Sequence, residues 1–427
     1  MALRELICCD VRLGQLAKLL ARGKFPSLLS GIAGGFAFVS AAAADPVEFD
    51  VDGKASLVAG VSGGDAAGDI DAELRVTGST VFASGLEVGA VLETRLDGQQ
   101  PGRIYGGGRY SSFLIGGGRG LGPNNNSDLF LQGVYAYARG AFGEFIVGKD
   151  HGVARTLAVK SPTIFQSFNV NDWRTDLSEL NDVHTVNDVS GNATKISYLP
   201  PANFLGGPLG SLRFGVSYSP QLSNCSENNC TPEERLLISP EAMLRNELSS
   251  WDDAIEAALY YQKGLRVSAK DELLIGFGAS YVSADENSLE PTPVFGDYEA
   301  MSLGLNLGYR GITIGGSVKT TNAGLSEGEN DNYLAFDAGV TYRTGEDAGD
   351  WGIMLGYGRS EADIIGPNLV NPSLFQDTQT AQAGVTYHVA PGITVGAAAQ
   401  FTESRNSIAG SGDEEAATVV IESSIRF

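Results

Sequence analysis

The chain has 427 residues, and its 51 acidic against 29 basic side chains give a formal net charge of −22, which makes nucleic acid and anionic lipid poor partners for its surface. With 56 glycines, 43% hydrophobic residues and a mean hydropathy close to zero, the body of the chain holds no long apolar run, which excludes a transmembrane helix there. A β-barrel is not excluded, because its lipid-facing and water-facing residues alternate and cancel in any hydropathy window.

The first segment stands apart. Arg4, Arg12, Lys18, Arg22 and Lys24 precede an apolar stretch from Leu28 to Val39, and "SAAAAD" then offers Ala42 and Ala44 as the small residues before a cut. This predicts a secretory signal peptide over residues 1–44, the alternative being a retained amphipathic anchor. The positive region is long enough to suit a translation start downstream of Met1. Its removal leaves 24 basic against 49 acidic side chains, a net charge of −25. Cys8 and Cys9 leave with it. Cys225 and Cys230, in the polar segment "CSENNC", are expected to form a small loop disulfide in an exported protein. A zinc site is a poor second, since four ligands are not in sight there.

From residue 51 onward, segments of about ten residues alternate apolar and polar positions, the length a tilted strand needs to cross a bilayer. In order they are 51–61, 69–80, 86–96, 128–139, 143–149, 192–198, 211–219, 251–262, 271–282, 298–309, 312–320, 332–343, 351–360, 378–389, 393–402 and 415–427. In the last, Val419, Ile421, Ser423, Ile425 and Phe427 share one face. The connections form a second pattern: "GAFG", Arg310–Gly311 and "APG" are short, whereas residues 97–127 and 150–191 are long and polar. Short turns on one side and long loops on the other are what an outer-membrane barrel shows, with the short side and both termini in the periplasm.

The aromatics supply a third. Segments expected to run inward finish on an outward-phased ring, Tyr137, Tyr261, Tyr309, Tyr342, Tyr387 and finally Phe427. Those running outward finish with Tyr218, Tyr281, Tyr357 and Phe401. Two aromatic belts at the two membrane interfaces are therefore expected, where amphipathic rings prefer to sit. A soluble sandwich core would not confine its rings to strand ends. The fold class that follows is all-β, a 16-stranded antiparallel transmembrane β-barrel.

Other motifs carry less. "GEFIVGKD" fits most of a phosphate-binding loop over 143–149, but Asp150 stands where Ser or Thr should be, and the segment reads as a strand. The glycine runs of 106–122 lack dinucleotide-binding spacing and read as a surface loop. His151, His184 and His388 converge with no nucleophile and acid in the sequence pattern, so no enzyme activity is expected. The segment "NVNDWRTDLSELNDVHTVND" gathers Asp172, Asp176, Glu179, Asp182 and Asp188 in one long connection. Such a density of carboxylates suits a solvated loop or calcium, and a loop so long inside a compact barrel is usually functional or disordered. Folded inward, it narrows a lumen otherwise wide enough for water.

Together, "VYAYARGAFGEFIVGKDHG", "KISYLPP" with "LRFGVSYSP", and the terminal "SSIRF" make residues 47–427 resemble the general porins of the Gram-negative outer membrane. The resemblance implies a trimer passing ions and small hydrophilic solutes by passive diffusion, with outer-membrane lipid and lipopolysaccharide around it. It also implies that barrel-assembly machinery recognises Phe427, and that residues 150–191 fold inward as a constricting loop. Asp172, Asp176, Glu179 and Asp182 would then face basic residues on the wall, for which Arg75, Arg95, Lys195 and Arg213 fall on the polar phase of their strands. The Pro-Glu-Phe-Gly-Gly stretch of enterobacterial members is missing from that loop. The acid excess implies a cation preference. A substrate-selective porin, or an occluded barrel serving as adhesin or structural protein, are the alternatives.

Overall fold

The computed structural model describes residues 45–97, 128–171, 175–178, 180–201, 210–221, 251–268, 271–286, 296–322, 333–364, 374–406 and 413–427. The expected leader, the cysteine pair Cys225 and Cys230, the glycine runs, Asp172 and Glu179 lie outside the described residues.

Sixteen strands form. They are β1 (Glu48–Ser62), β2 (Asp65–Val81), β3 (Glu87–Asp97), β4 (Asp128–Gly140), β5 (Gly143–Lys149), β6 (Thr194–Leu199), β7 (Ser211–Gln221) and β8 (Trp251–Arg266). The second half comprises β9 (Glu272–Glu286), β10 (Tyr298–Tyr309), β11 (Ile312–Thr321), β12 (Tyr333–Arg343), β13 (Trp351–Ile364), β14 (Leu374–Ala390), β15 (Ile393–Asn406) and β16 (Glu414–Arg426). Each pairs antiparallel with its neighbours in sequence, and β1 pairs with β16, so the sheet closes and leaves no edge. Several strands outrun the alternating pattern: β8 continues through Lys263 to Arg266, because ladder pairing with β9 persists after the apolar rhythm stops.

The burial is inverted relative to a soluble core. On β10 the outward residues Met301, Leu303, Leu305 and Leu307 are exposed, while inward Ser302 is buried. On β14, inward Thr378, Thr380 and Gln382 are buried and outward Val385 is exposed. An apolar exterior around a polar interior is the arrangement of a barrel whose solvent is lipid.

One rim carries tight turns such as Ala141–Phe142 and Arg310–Gly311, whereas residues 98–127, 150–193 and 222–250 connect strands at the other. Arg310 and Gly311 both have positive φ (49° and 78°), the two-residue turn whose twist matches a hairpin. Arg310 holds that conformation with its guanidinium forked onto Asp271 (2.9 and 2.5 Å) across the neighbouring turn. Asp45 and Phe427, the ends of the described chain, lie at this turn rim.

Outward-phased Tyr261, Tyr309, Tyr342, Tyr387 and Phe427 sit near the turn rim, and Tyr218, Tyr281, Tyr357 and Phe401 toward the loop rim. Tyr342 meets Trp351 edge-on at 5.6 Å. Tyr137 departs from the expected belt: it points into the lumen and is 7% exposed. The register decides this, since Ala136 and Ala138 pair with the exposed, outward Val147 and Phe145. The Tyr137 ring lies where a side chain on Gly89 would stand, its hydroxyl donates to Glu87 (2.8 Å), and the Arg139 guanidinium covers its face at 4.8 Å.

Candidate functional site

The lumen is shaped by the connection from β5 to β6, which turns inward at Asp150 and begins with the short helix α1 (Val153–Thr156). It runs around the inner wall in contact with β7 through β16 and β1. Three wall carboxylates hold its backbone. Glu256 on β8 accepts from Ala154 N–H (3.0 Å) and the Ser190 hydroxyl. Asp337 on β12 accepts from Ser161 N–H (3.3 Å) and the Asn171 amide (2.7 Å). Glu422 on β16 accepts from the N–H groups of Gln166 (2.7 Å), Ser167 (3.1 Å) and Phe168 (2.9 Å), and from the Ser167 hydroxyl (3.0 Å). A loop in the lumen must satisfy its backbone groups against the wall, and acids at these positions supply acceptors for its donors.

Apolar packing completes the seat. Ile164, Phe165 and Phe168 form one cluster with Val58, Met354, Ala398 and Val420 of the wall, the two rings edge-to-face at 6.5 Å. Wall glycines make the room. A Cβ on Gly304 would fall 1.9 Å from the Val159 carbonyl oxygen, and one on Gly384 or Gly396 would strike Phe165 at 2.4 or 2.6 Å. The small lumen residues of β10 and β15 therefore accommodate the inserted loop, a role that their phase alone does not disclose.

The acidic residues of this loop behave differently from the expectation. Asp176 is buried, and its carboxylate accepts from Ser178 N–H (3.1 Å), the Ser178 hydroxyl (2.7 Å) and Asn181 N–H (2.8 Å), fixing a local turn. Asp182 is buried and its carbonyl accepts from Tyr333 Oη at 2.6 Å. Neither lines open space, because the loop needs its own acceptors where its backbone turns. Asp188 pairs with His184 at 2.7 Å. At the loop's root, burial pushes the Asp150 carboxyl up to about 6 against the pull of the Lys195 ammonium.

The basic candidates divide. Lys195 faces inward but is fully buried, donating to the carbonyls of Gly191 (2.7 Å) and Asp150, so it clamps the loop's two ends together and is not open wall. Arg213 is exposed at the turn rim on β7. Arg75 on β2 is exposed to the lumen whereas Arg95 on β3 is buried (3%), and both belong to an arrangement that single-residue phase does not reveal. One cross-strand row reads Lys54, Glu73, Arg95 and the next reads Asp52, Arg75, Glu93. The signs alternate along and between the rows. Lys54 Nζ meets Glu73 at 2.8 Å, Arg75 meets Glu93 at 2.5 Å, and Arg95 reaches diagonally to Asp71 at 2.9 Å. Side-chain exposure is 43% for Lys54 and 40% for Arg75, so both present charge to the lumen. The pairing could have been found by aligning the polar phases of "DVDGKAS", "DAELRV" and "LETRLD" in hairpin register.

No titratable cluster of metal-binding composition occurs among the described residues. The barrel of the described residues is closed, carries charge along β1–β3 of its inner wall and holds its own loop inside. Solved structures of similar fold include an anion-selective porin from Comamonas acidovorans, 14% identical over 90% of this chain and 100% of that one, with a TM-score of 0.53. OmpF of Salmonella typhi in complex with daunomycin is 15% identical over 89% and 97%, with a TM-score of 0.51. The outer membrane channel DcaP of Acinetobacter baumannii is 12% identical over 91% and 99%, with a TM-score of 0.50. At these identities the likeness is one of fold. No curated protein matches the chain. The Gram-negative porin family matches residues 30–407, most of the sequence and all but the last strand of the barrel, and to that family of outer-membrane channels this chain belongs.

Proposed function

We propose that the barrel passes ions and small hydrophilic solutes by passive diffusion, with a preference for cations. The observation that carries this is the charged wall of β1–β3: Lys54 and Arg75 are each about two-fifths exposed toward the interior of a closed barrel, and such groups need water there. The cation preference rests on the wall's own balance, since Asp52, Asp71, Glu73 and Glu93 outnumber Lys54, Arg75 and Arg95. In a planar bilayer the refolded protein should open stepwise ohmic channels with a reversal potential of cationic sign in a potassium chloride gradient. An anionic sign would overturn the preference, and a folded barrel without current would favour an occluded barrel acting as adhesin or structural protein.

The same reading includes a homotrimer. β5 has 7 residues and β6 has 6, fewer than the 9–11 or so that a tilted strand needs to span the apolar layer. Irregular backbone at membrane depth cannot face lipid, so a second copy covers this low part of the wall. Outward Phe145, Val147 and Ile196, all exposed, supply apolar contact for it. On the opposite side, outward Arg359 and Arg405 lie beyond the belt residues Tyr357 and Phe401, paired there with Asp377 and Glu403, at the level of the polar headgroups in this reading. The turn rim then faces the periplasm, where the leader over residues 1–44 is removed and assembly machinery takes Phe427. Migration of unheated samples in a native gel tests the trimer.

A further inference from the structure

We infer that Glu93, a buried residue of the barrel wall, sets the ion selectivity of the pore by cancelling Arg75; this rests on the channel reading above. Arg75 is the wall cation placed to attract anions, with its guanidinium exposed to the lumen. Directly across the β2–β3 ladder, Glu93 takes both its Nε (2.6 Å) and its Nη2 (2.5 Å). Only 2% of the Glu93 side chain is accessible, so mobile ions reach the arginine and not the carboxylate.

Burial does not hide the charge. A carboxylate behind the guanidinium and shielded from water is screened less than any exposed group, so an ion at Arg75 experiences the pair and not the cation alone. Room for the acid is provided on the far side by Gly133 of β4, where a Cβ would come within 2.8 Å of Glu93 Oε2. The wall bulges at that point, the register with β4 shifting between Glu93 and Thr94. The bulge and the glycine together let an acid occupy a wall position that would otherwise be filled by the next strand's side chain. A wall cation count alone therefore misjudges this pore: the selectivity lies in the partner behind the arginine.

The test is the potassium-to-chloride permeability ratio, from reversal potentials, of the wild type, Glu93→Gln and the double variant Arg75→Gln/Glu93→Gln. Glutamine keeps the shape and an acceptor for Arg75 but removes the charge. Glu93→Gln is expected to lower the ratio about tenfold, since one unit charge about 6 Å from the ion path in water is worth about threefold for each ion and acts in opposite senses on cation and anion. The double variant, which removes the pair together and leaves no buried charge unpartnered, should return the ratio to the wild-type value. An unchanged ratio in Glu93→Gln channels would overturn the inference, as would a double variant shifted toward cations, because Arg75 would then act alone. Should Glu93→Gln not fold, Arg75→Gln takes its place: its ratio should exceed that of both the wild type and the double variant, and a double variant matching Arg75→Gln would overturn the inference. Stepwise conductance in the variants, whatever their ratio, keeps the channel reading intact, whereas its absence in the wild type defeats that reading first.

Discussion

Phe427 and Gly53 close the barrel: the Phe427 N–H donates to the Gly53 carbonyl and the Gly53 N–H to the Phe427 carbonyl, each at 3.0 Å. A Cβ on Gly53 would lie 2.7 Å from Phe427 Cζ, so the terminal ring rests where a side chain of residue 53 would stand. Gly53→Val is expected to displace the ring and destabilise the closure by about 1–3 kcal/mol, the usual cost of overpacking. The temperature at which folded barrel converts to the slow-migrating unfolded form in gels should fall accordingly.

Glu422 anchors the inserted loop at four donors. Glu422→Gln replaces one acceptor oxygen by an amide donor and leaves loop N–H groups unsatisfied, at about 1–3 kcal/mol. The loop should then sample positions away from β16, which single-channel recordings would register as increased open-channel noise with the barrel itself still folded.

Gly304 and Gly396 are expected to tolerate no side chain. Gly304→Leu has no space beside the Val159 carbonyl, and Gly396→Leu none beside Phe165. Either substitution should drive the loop toward the β1–β3 wall and lower the unit conductance, whereas the same change at Gly85, where a Cβ meets nothing within 4 Å but φ is 79°, should strain its turn without narrowing the pore.

Acid should expose the Asp271–Arg310 pair. The hydrogen bonds from Arg310, aided by that from the Ser268 hydroxyl, hold the Asp271 carboxyl at about 2. That value lies below the unfolded one of about 3.9, so the pair's contribution is complete above about pH 4 and is lost as pH falls toward 2. Urea midpoints of the wild type and Asp271→Asn should differ at pH 7 and converge near the low end.

Most of the barrel is legible in the sequence because lipid enforces the period-two rhythm: an outward residue must be apolar, so strands such as Tyr298–Tyr309 read with correct ends. Tyr137 misleads because an amphipathic ring suits the water-filled rim as well as the interface, and its phase is fixed by partners on the next strand. Lys195, Asp176 and Asp182 fall where the loop resemblance expects charge in the lumen, yet loop backbone consumes that charge. Phase distinguishes inside from outside; it does not distinguish open lumen from lumen filled by the chain itself. The alternating rows of β1–β3 escape a residue-by-residue reading for a related reason, since pairing is a property of three strands in register.

Osmotic swelling of liposomes containing the refolded protein, in neutral saccharides of increasing size, tests the water-filled path beside the inserted loop most directly. Rapid swelling in monosaccharides that declines steeply for larger oligosaccharides is the predicted result. Folded barrels that leave the liposomes as tight to monosaccharides as protein-free ones would contradict it.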